Sequence, residues 1–141
     1  MKLDRASAFS LVFLVASLAG PAAAHDRKEV AGLEVVFGAE PEPALTGEMQ
    51  YLRWRFRSTD TKQPFADLEE LRAVVKRAGK DYGPFQCRTS PRDPGMAQTV
   101  HIFTAAGDYE AVLTFKKKGE SQLHTVAFPF GIRNRKELEI P

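Results

Sequence analysis

The chain has 141 residues, with 20 lysines and arginines against 18 aspartates and glutamates, so its formal net charge is only +2. This near balance argues against a nucleic-acid binder driven by phosphate neutralisation. Hydrophobic residues make up 43% and charged residues 27%, which is typical of a globular domain rather than a disordered one. A single cysteine excludes an internal disulfide framework. Composition therefore predicts a small globular domain and no nucleic-acid partner.

Residues 1–24 have the pattern of a secretory signal peptide. Lys2 and Arg5 form a basic start, the run Ala8–Ala19 is apolar except for two serines, and three alanines precede His25. The apolar run is shorter than the roughly 20 residues that a membrane-spanning helix needs. We therefore predict cleavage before His25, export to an oxidising periplasm as a soluble protein, and no membrane span after processing.

The first strands after the leader have clear signals. Leu33–Phe37 is a β-rich run, and a proline-rich turn follows it. Gln50–Arg57 is the clearest strand, because large apolar residues alternate there with mostly cationic ones. The alternation predicts that Trp54 is buried and that Arg53, Arg55 and Arg57 line the opposite face. That cationic face is either a surface for an anionic partner or a solvated face that discourages aggregation.

The middle of the chain is less regular. Asp67 and Glu70 have the spacing of a capping box, which predicts one short helical turn near residues 67–71. Ala73–Val75 is predicted to be a strand. The stretch Lys80–Gly95 contains several prolines and glycines and lacks periodicity, so we predict an irregular loop, and long loops in small domains are often functional.

Three further strands are predicted near Gln98–Phe103, Glu110–Phe115 and Gln122–Ile132. The glycine two residues before Tyr109 suggests a tyrosine corner, in which the tyrosine ties its strand to the preceding connection. Residues 133–141 are predicted to be a charged tail that frays.

Short strands between recurrent turn signals predict one domain, residues 25–132, folded as an immunoglobulin-like antiparallel β-sandwich of about seven strands. The predicted core includes one or more apolar side chains from each main strand. These are Val35, Leu52, Trp54, Phe56, Val74, Tyr109, Leu113 and Phe115. The single Cys87 is predicted to be an inert buried thiol.

Three stretches, Gln63–Leu68, Ala106–Tyr109 and Leu123–Phe128, resemble parts of secreted bacterial immunoglobulin-like domains. The similarity is to the YtkA-like group and, more distantly, to copper-binding proteins of the CopC type. It implies an exported sandwich and a possible role in metal handling. Many relatives carry a histidine on the central strand and a His-x-His-Pro cluster after it. This chain has no histidine in Arg72–Lys76 or Phe85–Pro91, so no ligand carries over there.

His25 is the main candidate metal ligand. After cleavage its free amine and ring nitrogen could chelate one cupric ion, because this ion prefers nitrogen donors. The chelate resembles the one formed by the N-terminal histidine of CopC-type proteins and of copper-dependent polysaccharide monooxygenases. Asp26 could add an oxygen ligand, and His101 or His124 a second imidazole. The alternative for His25 is a solvated residue in a flexible terminus. His124 is better explained as a hydrogen-bonded strand histidine, and the neighbours of His101 leave its orientation open.

No nucleophile elbow, zinc-protease motif, phosphate-binding loop or Cys-x-x-Cys pair is present in the sequence. We therefore predict a non-catalytic binding or accessory module. One hypothesis is copper handling through His25. The other is a metal-free interaction module with a periplasmic or membrane-associated protein partner. An oxidative copper enzyme is a third alternative, which would need a complete histidine brace.

Overall fold

Nine strands and one short 3-10 turn make up residues 25–141, the part of the chain that the computed structural model describes. The predicted signal peptide, residues 1–24, lies outside the described residues. The strands in chain order are β1 (Asp26–Val30), β2 (Leu33–Glu40), β3 (Met49–Ser58), β4 (Leu68–Arg77), β5 (Lys80–Gln86), β6 (Arg88–Ser90), β7 (Asp93–Ile102), β8 (Gly107–Lys117) and β9 (His124–Ile132). The all-β prediction is confirmed, with nine described strands instead of about seven.

The strands form two antiparallel sheets packed face to face. One sheet has the order β1-β2-β3-β7-β6, and the other has the order β5-β4-β8-β9. The alternation in β3 determines its orientation, because side chains on a strand point to opposite faces in turn. Trp54 lies opposite Phe37 of β2 and Ala97 of β7, and all three are buried between the sheets. Arg53 and Arg55 lie on the outer face, as predicted.

The core is rich in aromatic rings that join the two sheets. Phe56 of one sheet meets Phe115 of the other edge to face, with ring centroids 5.1 Å apart. Seven of the eight predicted core residues are buried. The prediction for Val74 is wrong, since that side chain is only half-buried and Val75 takes the core position. Val75 lies opposite the fully buried Ala111 of β8, and residues that pair across an antiparallel ladder share one face.

The helical turn predicted near residues 67–71 is wrong, because β4 already begins at Leu68. Leu68 pairs with Lys117 of β8, and the carboxylate of Glu70 accepts a hydrogen bond of 2.8 Å from Nζ of Lys116. This bond lowers the pKa of Glu70. A single helical turn gains little by itself, whereas a strand here satisfies its backbone groups in the sheet.

The irregular loop predicted for Lys80–Gly95 is also wrong. It consists of β5, β6 and the start of β7. Both β5 and β6 are edge strands, and an edge strand tolerates a proline such as Pro84 because one side needs no ladder donor. The chain crosses between the sheets at Cys87, whose backbone N–H donates to the carbonyl of Leu71 in β4 at 3.0 Å.

Cys87 is buried, as predicted, and burial raises the pKa of its thiol to about 12. Arg88, the next residue, already pairs with Gln98 of β7 in the other sheet. Because the crossing occurs at this point, β6 covers β7 only as far as Gln98.

The tyrosine corner is confirmed, since the hydroxyl of Tyr109 donates to the carbonyl of Ala105 at 2.6 Å. The C-terminal tail is less frayed at its root than predicted. The backbone N–H of Arg133 donates to the carbonyl of Ala44, and Asn134 caps a 3-10 turn, Arg135–Leu138. Within residues 25–141, no helix has the length and apolar character needed to cross a membrane.

Candidate functional site

His25 and Asp26 lie at the start of β1, on the outer edge of the five-stranded sheet. Nε2 of His25 is 3.6 Å from Oε1 of Glu40, and the imidazole is about half exposed. Its ring covers Gly38, where an added Cβ would lie 2.7 Å from Cδ2 of His25. Glu40 is also bound by Arg53, which competes for the same carboxylate. Asp26 lines a cavity of about 510 Å³ between the β1 and β9 edges.

The other two histidines lie among aromatic rings. His124 begins β9 and packs on Phe115, with ring centroids 5.4 Å apart. Its Nε2 has no hydrogen-bond partner among the described residues, so the predicted hydrogen bond is wrong, and Glu120 is 4.0 Å away. His101 lies near the end of β7 with its ring 4.5 Å from that of Phe85, and it faces the space between the sheets.

The structure places the three histidines apart. Two strands separate β1 from β7, so His25 and His101 are at least roughly 14 Å apart at the usual strand spacing. His124 belongs to the other sheet. Within residues 25–141, no three His, Cys, Asp or Glu side chains are grouped to hold a metal ion. Copper binding by His25 stays a prediction, and the carboxylate of Glu40 is its nearest acidic neighbour among the interactions described.

A different feature stands out on β7. Its pairing with β6 ends at Gln98, whereas its pairing with β3 continues to Ile102. Thr99–Ile102 therefore has a strand on one side and, in the described part of the chain, none on the other. An unpaired strand edge presents backbone donors and acceptors that can pair with another chain.

A groove of about 640 Å³ follows this open edge. Its floor includes Pro84 and Phe85 of β5, and its wall is formed by Gln98–His101 of β7. A second cavity of about 190 Å³ lies beyond His101 and is lined by aromatic side chains that include Tyr82 and Tyr109. The two sheets thus part at this edge and leave a cleft with both polar and apolar lining between them.

Apolar side chains also cover the outer face of the sheet beside the edge. Met49 of β3 pairs with Ile102 of β7, and Tyr51 pairs with Val100. Met49 is 53% exposed, Ile102 is 60% exposed and Val100 is 40% exposed. Contiguous exposed apolar groups of this kind are unusual on a monomer surface and often mark an interaction site.

The polar groups of the edge have few internal partners. Oγ1 of Thr99 and Nε2 of His101 are buried without a hydrogen bond in the described chain, and burial lowers the pKa of His101. Arg88 stands at the Gln98 end of the groove and is exposed. No ion pair is formed by Arg88 within residues 25–141. The groove therefore combines an apolar floor with unpaired polar groups and an uncompensated positive charge at one end.

The three arginines of β3 differ from Arg88. Arg53 donates to Oε1 of Gln98 at 3.0 Å, in addition to its contact with Glu40. Arg55 donates to both carboxylate oxygens of Asp93 at 3.0 Å. Two of the three charges are thus neutralised within the sheet, which weakens the interpretation of this face as an anion-binding surface.

Sequence reasoning missed the open edge as a site. One signal was present, because β7 has polar Thr99 and His101 on its inner face and apolar Val100 and Ile102 on its outer face. This is the reverse of the usual polarity of a half-buried strand. The interruption of β6 had no sequence signal, since it depends on where the chain changes sheets.

Comparisons with known proteins give the fold alone. No family model matches the chain, and no curated protein matches its sequence. The crystal structure of a DUF4426 family protein from Pseudomonas aeruginosa is similar, with a TM-score of 0.60 and 13% identity over 77% of this chain and 94% of that one. The narrower resemblance to YtkA-like and CopC-type proteins stays a prediction. The finding that these comparisons support is an all-β sandwich shared with the DUF4426 protein.

Proposed function

We propose that the chain is an exported, non-catalytic accessory module that binds an extended polypeptide segment at the open edge of β7. The observation that carries the proposal is the unpaired edge of Thr99–Ile102 beside a groove whose floor includes Pro84 and Phe85. In strand addition, main-chain hydrogen bonds supply affinity and alternate side chains supply specificity. The metal-free interaction hypothesis is thereby given a location on the molecule.

The chemistry of the groove favours an extended segment with alternating side chains. Residues of one parity would lie over Phe85 and the inner face, and residues of the other parity would lie beside Val100 and Ile102 on the outer face. Arg88 at one end favours an acidic residue in the bound segment, because charge complementarity orients a partner. Within residues 25–141, no carboxylate and no cysteine lines this groove.

The test uses protein purified after export of the full chain and a phage-displayed library of random short peptides. We expect enrichment of alternating apolar segments, with binding that is lost in Ile102→Asp and kept in Leu123→Asp. Leu123 is the matched control, because it is 52% exposed and precedes β9 at the far edge of the other sheet. Failure to enrich any segment, or equal binding to both variants, would contradict the proposal.

A second readout locates the bound segment. Alternate backbone amides of Thr99–Ile102, those that point away from β3, should shift in NMR spectra and exchange more slowly with solvent when an enriched peptide is added, because strand addition pairs them. Shifts confined to the β1 edge near His25 would place the peptide elsewhere and refute the assignment to β7.

Copper handling through His25 is a second candidate function, which we propose because of where that residue lies. The imidazole is exposed at the edge of the sheet and lies beside the carboxylate of Glu40. After cleavage, the new amine and the ring nitrogen would chelate one cupric ion, and Asp26 or Glu40 could add an oxygen ligand. Acid should weaken the complex, because protons compete for both nitrogens.

Isothermal titration of processed protein with cupric ion tests this candidate. One ion should bind per chain, and both His25→Ala and a one-residue extension before His25 should weaken it sharply. His101→Gln and His124→Gln then test whether either residue supplies another donor. Equal affinity in wild type and His25→Ala, or no binding in either, would exclude the candidate.

A further inference from the structure

We propose that the segment bound at the open edge of β7 is the C-terminal segment 137–140 of a second copy of this chain, and that two copies form a dimer by exchanging these tails. The proposal rests on the proposed function, because it uses the same edge, and it goes further by naming the occupant. Three properties of the tail support it: its pattern, its charge and the position of its root.

The tail has the alternation that the edge requires. Leu138 and Ile140 are 43% and 91% exposed, and they alternate with Glu137 and Glu139. In an extended conformation the two apolar side chains lie on one face and the two carboxylates lie on the other. The four tail residues match the length of Thr99–Ile102, where alternate residues direct their backbone groups to the open side.

The tail can leave its present conformation at little cost in free energy. The 3-10 turn Arg135–Leu138 contains no buried residue. Its backbone bonds are one of 3.1 Å from the N–H of Glu137 to the carbonyl of Asn134 and one of 3.4 Å from the N–H of Glu139 to the carbonyl of Lys136. The side chain of Asn134 also accepts from the N–H of Lys136, and Arg135 lies 3.7 Å from Glu139 in an exposed ion pair, which contributes little. Short 3-10 turns have poor hydrogen-bond geometry, so their conversion to a strand costs little.

The charges of the two surfaces are complementary. Leu138 and Ile140 would face the groove over Phe85, and Glu137 and Glu139 would lie on the outer face, which also carries Arg88. This arrangement buries the apolar side chains and keeps both carboxylates solvated near the unpaired cation. Nothing else described in the groove neutralises Arg88, because no carboxylate lines it.

The root of the tail lies beside one end of the open edge. The N–H of Arg135 donates to Oγ1 of Thr46 at 3.1 Å, and its side chain lies 3.8 Å from Glu48. Glu48 precedes Met49, which pairs with Ile102, so the tail leaves the domain beside one end of the edge. Within the described residues, the tail forms the 3-10 turn and is not paired with this edge. A two-fold exchange would pair both and would close the assembly as a dimer.

The first experiment compares three forms of the exported protein by sedimentation velocity across a wide range of concentration. Wild type should form a dimer, whereas a chain ending at Asn134 and the Ile102→Asp variant should each be monomeric. An equimolar mixture of the two should recover a dimer of lower affinity, because one supplies the edge and the other supplies the tail. Leu123→Asp is the control and should dimerise as wild type does.

Charge reversal tests the orientation of the tail. Arg88→Glu should weaken the dimer by roughly threefold to fivefold, the size expected for an exposed ion pair. Combining it with Glu137→Lys and Glu139→Lys should restore the affinity. A merely structural effect of Arg88→Glu would not be reversed by changes in the tail.

Several results would overturn the inference. Wild type that stays monomeric at every concentration excludes exchange between copies. Monomeric wild type whose Thr99–Ile102 amides lose protection on truncation indicates that the tail pairs with its own edge. A truncated chain that stays dimeric excludes the tail. The proposed function survives each of these outcomes if library peptides still bind the truncated chain at Thr99–Ile102.

Discussion

Removing the Tyr109 hydroxyl should separate the tyrosine corner from the aromatic packing around it. The hydroxyl donates to the carbonyl of Ala105 at 2.6 Å, and the ring, only 8% exposed, contacts Phe103 and Phe130 at centroid distances of 4.9 Å and 5.5 Å. Tyr109→Phe removes one hydrogen bond and leaves the ring. We expect it to lower the free energy of unfolding by about 1 kcal/mol.

Tyr109→Ala should cost much more, because it also removes the ring. Truncation of a buried aromatic side chain to alanine costs about 3–5 kcal/mol of unfolding free energy. This range already includes most of the energy lost with the aromatic pairs. The ring should therefore account for most of the contribution of Tyr109. The hydroxyl should act mainly by fixing the connection before β8.

Urea unfolding followed by tryptophan fluorescence measures both changes. Trp54 is the single tryptophan and is fully buried, so its emission reports loss of the core. Tyr82→Phe is the control, because Tyr82 is 40% exposed, and it should change stability by less than about 0.5 kcal/mol. Equal losses of stability in Tyr109→Phe and Tyr109→Ala would refute the separate contributions of hydroxyl and ring. No loss of stability in Tyr109→Phe would refute the contribution of the hydroxyl.

Three further predictions follow from burial. Val75→Ala should lower the free energy of unfolding by about 1.5–2.5 kcal/mol and Val74→Ala by less than about 1 kcal/mol, because only Val75 is fully buried. Urea unfolding midpoints measure both changes, and a larger loss in Val74→Ala would contradict the register of β4. Cys87, with a thiol pKa of about 12, should resist iodoacetamide at mildly alkaline pH until urea unfolds the chain; stoichiometric labelling of folded protein would disprove its burial. The pKa of His101 is lowered in the folded state, so the unfolded chain takes up the proton first and stability should fall as pH drops below about 6.5. His101→Phe should reduce that slope in urea titrations, and an unchanged slope would exclude His101 as its source.

The sequence alone determined those features whose causes are local. The alternation in Gln50–Arg57 predicts both the strand and its buried face, because a half-buried strand exposes every second side chain to the core. The tyrosine corner could be predicted because its hydrogen bond joins Tyr109 to Ala105, only four residues away. The burial of Cys87 followed from the chemistry of an unpaired thiol in a small domain.

Other features depend on partners that are distant along the chain. Asp67 and Glu70 have the spacing of a helix cap, but Glu70 binds Lys116 of β8, so the segment becomes a strand. The choice between Val74 and Val75 as the core residue depends on register, because two adjacent valines fit either face equally well. Pairing with Ala111 decides between them.

The candidate site belongs to this second group. His101 was visible in the sequence, but whether it joined a metal site depended on the strand order, which keeps β1 and β7 apart. The open edge of Thr99–Ile102 exists because the chain leaves one sheet at Cys87 and joins the other at Arg88. Composition and periodicity determined that the protein is a β-sandwich, since alternation acts residue by residue. Only the tertiary structure decided which strand edge stayed unpaired, because that depends on where the crossing between sheets meets β7, and the first pair joins Arg88 to Gln98.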